Sequence, residues 1–140
     1  MLSYQKGNKV TSVINVCVRL VKKSSKRTHV TPFAIELHWL PMKERIEYKT
    51  IMLTYKSLHG LSPTYMSDIF SQCASSRDLR SNQNFTLNIP KFRTEKYGRG
   101  RFGVTAPKLW NSLPSELKLC DSVSTFKKQL KTFLFRQAYF

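Results

Sequence analysis

Residues 37–63 read LHWLPMKERIEYKTIMLTYKSLHGLSP, and this stretch is predicted to hold the helix around which the rest of the chain packs. Pro41 fixes a φ angle suited to a helix start, whereas Gly60 and Pro63 are typical of the residues that follow a helix end. These signals predict one helix of about five turns over residues 42–59.

The apolar side chains of this central helix fall on two faces when they are placed at about 100° per residue. The first face carries Tyr48, Ile51, Met52, Tyr55 and Leu58. The second face, almost opposite, carries Met42, Ile46 and Leu53. Because a surface helix needs only one apolar face, two faces predict a helix that is packed on both sides.

Apolar patterns elsewhere predict a mainly α (α+β) fold, a small multi-helix module around this two-faced helix. Residues 85–89 alternate between apolar and polar side chains and stop at Pro90, which predicts a short β-hairpin over about residues 85–97. A C-terminal helix is expected at about residues 122–138, with its apolar stripe packed inward and its basic side chains exposed.

The domain organisation follows from shifts in polarity along the chain. Residues 1–9 are polar and are expected to be disordered. An amphipathic helix is predicted from residue 10 onward. Its apolar positions recur at helical spacing at Val13, Ile14, Cys17, Leu20 and Val21. Residues 10–140 are expected to form a single domain, in which a polar loop at residues 71–84 joins a helical half, 10–70, to a second half, 85–140.

The composition describes a strongly basic chain with enough apolar residues for a core. Of 140 residues 41% are hydrophobic, and 24 Lys and Arg stand against 8 Asp and Glu, which gives a net charge of +16. So large an excess of one sign is costly in self-repulsion, which indicates a polyanionic partner, nucleic acid above all. The alternative is charge that only maintains solubility. Neither a membrane nor a small-molecule substrate is expected as a partner.

Cysteine usage and hydropathy bear on location. Cys17, Cys73 and Cys120 lie far apart and have no metal-ligand spacing with the histidines, so a reducing, intracellular location, nuclear or cytoplasmic, is the simpler interpretation. No apolar run reaches the roughly 18 residues of a membrane span. Asn15 and Arg19 interrupt the only stretch that resembles a secretory signal, and secretion is therefore not expected.

The acidic residues and histidines form no recognisable catalytic site. Metal-dependent polymerases and nucleases need two or three converging carboxylates. Here only Glu44 and Glu47 stand one helical turn apart, beside Lys43 and Arg45, where ion pairing is the simpler interpretation. His38 is expected to pack or to form a hydrogen bond rather than to act as a general base. The chain is therefore not expected to be an enzyme, and no catalytic residue, metal site or cofactor is predicted.

The sequence GRGRFG at residues 98–103 matches the pattern G-x-G-x-x-G of dinucleotide-binding proteins. That fingerprint requires a buried strand before it, a βαβ unit around it and an acidic residue at the end of the next strand. The preceding run is charged and none of this context is visible. We therefore do not interpret the glycines as a nucleotide site.

The predicted hairpin and the residues after it hold a dense cluster of basic and aromatic side chains. The predicted nucleic-acid contacts are Lys91, Phe92, Arg93, Lys96, Tyr97, Arg99 and Arg101. The cations can neutralise phosphates, and the two rings can stack on unpaired bases. The alternative is a solvated hairpin whose rings face the core. A secondary basic cluster, for which a solvated charged turn is the alternative, consists of Lys22, Lys23, Lys26 and Arg27.

Several linked motifs resemble one known family. They are LHWLPMKERIEYKTIMLTYKSLHGLSPTYMSDIF at residues 37–70, LRS at 79–81, YGRGRFGVTAPKLWNSLP at 97–114 and STFKKQLKTFLF at 124–135. Together they resemble the C-terminal tail of reverse transcriptases from non-LTR, LINE-type retrotransposons of the jockey-like group. The resemblance covers roughly residue 13 to the end, with the motifs in the same order.

This resemblance implies a segment that follows the polymerase thumb in a protein active in target-primed reverse transcription. The expected function is that of a non-catalytic, basic tail that contacts template RNA or target DNA, with the upstream reverse transcriptase domain as a second partner. The catalytic polymerase and endonuclease domains are expected to lie upstream, and the Met just before the match predicts a truncated copy. The alternative is a structural or protein-interaction module that braces the polymerase without touching nucleic acid.

Overall fold

A computed structural model describes residues 2–70, 86–91 and 100–140, with side chains from Lys9 onward. The described residues form helices α1 Leu2–Val21, α2 Thr31–Glu36, α3 Met42–Leu58, α4 Thr64–Ser67, α5 Phe102–Asn111, α6 Ser115–Lys118 and α7 Val123–Tyr139. The predicted mainly α fold is confirmed, and α3 and α7 lie within one residue of their predicted bounds. In the described part of the chain, no helix combines the length and the apolar composition needed to cross a bilayer.

Three helices end in the same left-handed turn. After α3, Gly60 has φ 67° and the Leu61 amide donates to the Lys56 carbonyl at 2.8 Å, which closes the last turn. Glycine adopts this conformation without steric cost. Lys23 after α1 (φ 48°) and His38 after α2 (φ 51°) occupy the same position, where a side chain costs about 1–2 kcal/mol.

The chain divides into two compact units, Met1–Ile46 with Lys131–Phe140, and Glu47–Leu130. The core of the second unit is built from the first face of α3 and from apolar side chains that come later in the chain. Its buried apolar residues are Ile51, Met52, Tyr55, Leu87, Val104, Ala106, Trp110, Leu113, Leu117, Phe126 and Leu130. Whether residues 10–140 act as the single domain predicted above stays a prediction.

Tyr55 lies at the centre of this core and is completely buried. Its ring stacks on His59, with centroids 3.9 Å apart, and on Phe126, with centroids 4.1 Å apart. Its hydroxyl donates to the Cys120 carbonyl at 2.6 Å. Burial raises the pKa of Tyr55, and the nearby Cys120 and Asp121 raise it further, so the hydroxyl stays protonated as a donor.

The second predicted face of α3 is not buried, which corrects the expectation of a helix packed on both sides. Ile46 is 55% exposed and Leu53 is 42% exposed. The buried side of α3 is instead widened by Thr54 and Ser57, whose hydroxyls donate to carbonyls one turn earlier at 2.9 and 2.8 Å. Because these bonds satisfy both hydroxyls, the two small polar side chains tolerate burial.

Helix α1 also differs from its prediction. It begins at Leu2, within the nine residues expected to be disordered. Its predicted apolar stripe is largely exposed, with Val13 at 60% and Leu20 at 71%, whereas Val18 is buried. The buried side is thus rotated by roughly a third of a turn from the predicted one. Apolar spacing located the helix but not the side that it packs.

The predicted hairpin lies only partly within the described residues, which include 86–91 but neither 92–97 nor the predicted loop at 71–84. Within residues 86–91, Leu87 forms an isolated β-bridge, and none of these residues belongs to an extended β-strand. The Leu87 amide and carbonyl both pair with the Asn111 carboxamide at 2.9 Å. The side chain of Asn111 therefore satisfies the backbone amide and carbonyl of Leu87, and the rest of the predicted hairpin stays a prediction.

We predict that Tyr55→Asp unfolds the protein and that Leu53→Asp does not. The first change places an unpaired charge in the core, at a cost of several kcal/mol, whereas the second lies at an exposed position and should change stability by about 0.5 kcal/mol. Thermal melts followed by circular dichroism measure both. Tyr55→Phe is the matched control and should lose about 1 kcal/mol with the hydroxyl. Equal loss of structure in both Asp variants would mean that α3 is packed on two sides.

Candidate nucleic-acid interface

Two residues of the predicted primary site are described, Lys91 and Arg101, and both are exposed. Arg101 precedes α5 in an extended conformation, with φ −68° and ψ 141°. Its carbonyl accepts from the Val104 and Thr105 amides at 3.0 and 2.9 Å, so its backbone is fixed while its side chain is exposed. The other five positions lie outside the described residues, namely Phe92, Arg93, Lys96, Tyr97 and Arg99. Their role stays a prediction.

The described glycines of GRGRFG have different surroundings. A Cβ atom on Gly103 would lie 3.1 Å from Cγ2 of Ile69, whereas one on Gly100 would meet nothing within 4 Å. Beside this approach of Gly103 to Ile69, the Phe102 ring packs edge to face on the Phe70 ring, with centroids 5.6 Å apart. Close packing at the start of α5 thus accounts for the glycine at position 103.

The secondary basic cluster follows α1 in the turn that begins at Lys23. Lys22 pairs with Glu36, which neutralises its charge. Lys23, Lys26 and Arg27 are exposed. Three of the four predicted residues can therefore meet a phosphate, and Lys22 is a poor candidate because it already has an acidic partner.

Helix α7 carries a basic surface. Phe126, Leu130 and Leu134 form its buried stripe, at 0%, 0% and 1% exposure. Its basic residues are all exposed, and they are Lys127, Lys128, Lys131 and Arg136. The helix contains no Asp or Glu. The predicted separation of a packed apolar stripe from an exposed basic side is confirmed.

Sequence reasoning missed a groove in the first unit. It has a volume of about 630 Å³ and is lined by His38, Lys131, Thr132, Phe135, Arg136 and Phe140. The His38 ring stacks on Phe135, with centroids 5.4 Å apart and planes at 17°. Lys131 and Phe135 are four residues apart on one helix, and this spacing could have indicated that they lie on the same side of it. Nothing in the sequence indicated that His38 joins them.

Trp39 is held by contacts of its ring and of its carbonyl. The Arg45 guanidinium lies 5.3 Å from the centre of the Trp39 ring, and its Nε donates to the Leu40 carbonyl at 2.8 Å. The Tyr139 hydroxyl donates to the Trp39 carbonyl at 2.8 Å. These contacts fix the half-buried Trp39 within the first unit. Among the residues that the structure describes, no group of three or more His, Cys, Asp or Glu is placed to hold a metal ion.

Comparisons with known proteins give no further assignment. No family model, no curated protein and no solved structure matches the chain. The functional argument therefore depends on the residues themselves.

One lysine is not available to a phosphate. Lys118 is only 9% exposed, and its Nζ donates to the Asn111 carbonyl at 3.1 Å. Burial lowers the pKa of Lys118 below its ordinary 10.5, because the charged amine loses hydration. Between the lowered pKa and 10.5, the unfolded chain binds more protons than the folded protein does.

We predict that Lys118 makes stability rise with pH in that window, since stability increases wherever the unfolded state binds more protons. Tyr48, Tyr55 and Tyr139 act in the opposite direction above pH 10.0, because burial raises the pKa of each. The measurement is therefore a difference between two proteins that share these tyrosines. The free energy of unfolding of the wild type minus that of Lys118→Met should increase as the pH approaches 10.5. A difference that is flat with pH would contradict burial of the charged amine.

Proposed function

We propose that this chain is a basic, non-catalytic nucleic-acid-binding module. The observation that carries the proposal is the exposure of its cations on α7 and in the turn after α1, in a chain with a net charge of +16. A polyanion releases condensed counterions when such a surface neutralises its phosphates, and this release favours binding. The phosphate contacts are Lys23, Lys26 and Arg27, the α7 cations and the primary site at residues 91–101.

We further propose that the module is the C-terminal segment of a LINE-type reverse transcriptase, where it contacts template RNA or target DNA during target-primed reverse transcription. The motifs that resemble this family also supply the core. Tyr55, Trp110 and Phe126 come from three different motifs, and their ring centroids lie between 4.1 and 6.5 Å apart. Motifs that specify one packed cluster support descent of the fold as a unit.

Exposed apolar side chains favour a second candidate function, a module that braces the upstream polymerase domain. Val13, Val16 and Leu20 of α1 are 60%, 52% and 71% exposed, and Ile46 and Leu53 of α3 are exposed as well. Apolar surface of this kind marks protein interaction sites in many proteins. This function needs no contact with nucleic acid, so a binding assay separates the two.

The test is binding of the purified chain to labelled single-stranded RNA, single-stranded DNA and duplex DNA over a salt series. If about four cations touch phosphates, log affinity for a single strand should fall against log salt with a slope near −3. Lys26→Gln with Arg27→Gln should make the slope shallower by about 1.4 if both touch phosphates. Converting Arg93, Lys96, Arg99 and Arg101 to Gln tests the primary site in the same way.

Lys22→Gln is the matched control, because Lys22 lies in the same turn but is paired with Glu36. It should leave the slope unchanged. If the salt slope is unchanged in the double variant and in the four-residue variant, the phosphate contacts lie on α7. If no strand binds at low salt, nucleic-acid binding is excluded and the bracing function is favoured.

A further inference from the structure

The groove of the first unit combines aromatic and cationic side chains. His38, Phe135 and Phe140 line it with rings, and Lys131 and Arg136 line it with positive charge. None of its six lining residues is acidic. His38, Lys131 and Arg136 are exposed, and Phe140 is 90% exposed. The rings and the cations can therefore be reached together from solvent.

We propose that this groove binds an unpaired base of a single-stranded nucleic acid, with the base stacked on the rings and the flanking phosphates on Lys131 and Arg136. The inference rests on the proposed nucleic-acid-binding function and adds to it a defined site and a preference for single strands. Aromatic side chains bind unpaired bases by stacking, and neighbouring cations hold the backbone. A duplex keeps its bases stacked inside and offers the groove only phosphates.

The geometry of the rings defines how a base is accommodated. The His38 and Phe135 rings are nearly parallel at 5.4 Å, which is already a stacking distance, so the pair forms one platform rather than a slot. Tyr139 packs against Phe135, with centroids 4.9 Å apart and planes at 59°. His38 is exposed, so the base stacks on the face of the His38 ring that does not contact Phe135. A volume of about 630 Å³ lies within the 300–1,000 Å³ typical of small-ligand sites.

The backbone at His38 is a second, independent observation. His38 has φ 51° at the end of α2, a conformation that glycine adopts freely and that a β-carbon disfavours. The turn itself is closed by backbone bonds, His38 N to Ile35 O at 3.0 Å and Trp39 N to Ala34 O at 2.9 Å, which need no imidazole. The imidazole adds one contact to this turn, since its Nδ1 lies 3.3 Å from the Glu36 carbonyl oxygen. A side chain that is held in a strained backbone conformation and stacks in an open groove is typical of a functional position.

The experiment measures the binding of the full chain to two labelled 12-nucleotide strands by fluorescence anisotropy. One strand is an oligothymidylate, and the other is the same strand with abasic sites at its centre. Both strands offer the same phosphates, so their affinity ratio reports stacking. We expect the wild type to bind the complete strand at least about fivefold more tightly. His38→Gly should reduce this ratio towards one while the melting temperature stays level or rises, since glycine relieves the left-handed turn.

Lys23→Gly is the matched control, because it places glycine at the same kind of helix end outside the groove. Because Lys23 is a proposed phosphate contact, this change should weaken the binding of both strands alike and leave their affinity ratio unchanged. Phe135→Leu should lower the ratio as His38→Gly does, and Lys131→Gln should weaken both strands alike and make their salt slopes shallower by about 0.7. Agreement among the variants supports a stacking site, and the glycine variant tests it even if Phe135→Leu does not fold.

The experiment distinguishes failure of the proposed base site from failure of the proposed nucleic-acid-binding function. Equal binding of the two strands by the wild type, or a ratio that His38→Gly leaves unchanged, overturns the base site while phosphate binding stands. Equal competition by a polyglutamate of matched charge also overturns it, because the groove would then recognise any acidic chain. Binding of neither strand at low salt overturns the proposed function and this inference together.

Discussion

The core of the second unit depends on one buried ring. Tyr55 stacks between His59 and Phe126, and its hydroxyl fixes the chain at Cys120, sixty-five residues later. A single side chain therefore sets the positions of α3, of the start of α7 and of the segment between α6 and α7. Because the ring is fully buried and its only polar atom is satisfied, this arrangement tolerates neither a smaller side chain nor a charge.

The same constraint determines where the charge can lie. Once the Phe126, Leu130 and Leu134 stripe of α7 is buried, helical geometry leaves its lysines and Arg136 in solvent. Lys118 shows the opposite case, a cation held inside by the Asn111 carbonyl and unavailable to a partner. The exposed cations that support nucleic-acid binding are thus a consequence of how the apolar residues pack.

Much of the fold could be predicted from the sequence, because local signals decide it. Proline, glycine and apolar spacing located α3 and α7 to within one residue. Which face of a helix is buried depends on distant partners, and there the predictions for Leu53 and for α1 were wrong. The groove could not be predicted either, since it joins His38 to Phe135 across almost a hundred residues and depends on an unusual backbone angle. The exposure of the α7 cations was predicted, but the pairing of Lys22 with Glu36 and the burial of Lys118 were not.

The proposed site requires that exposed rings beside exposed cations contact bases, whereas the buried rings only hold the fold. Photo-crosslinking to a single-stranded RNA that contains 5-iodouridine, followed by mass spectrometry of the adducts, tests this claim directly. We expect adducts on the groove rings, at His38, Phe135 or Phe140, that diminish as salt is raised. Adducts confined to Tyr55 and Trp110, which are 0% and 1% exposed and can be reached only after unfolding, or no adducts at low salt, would contradict it.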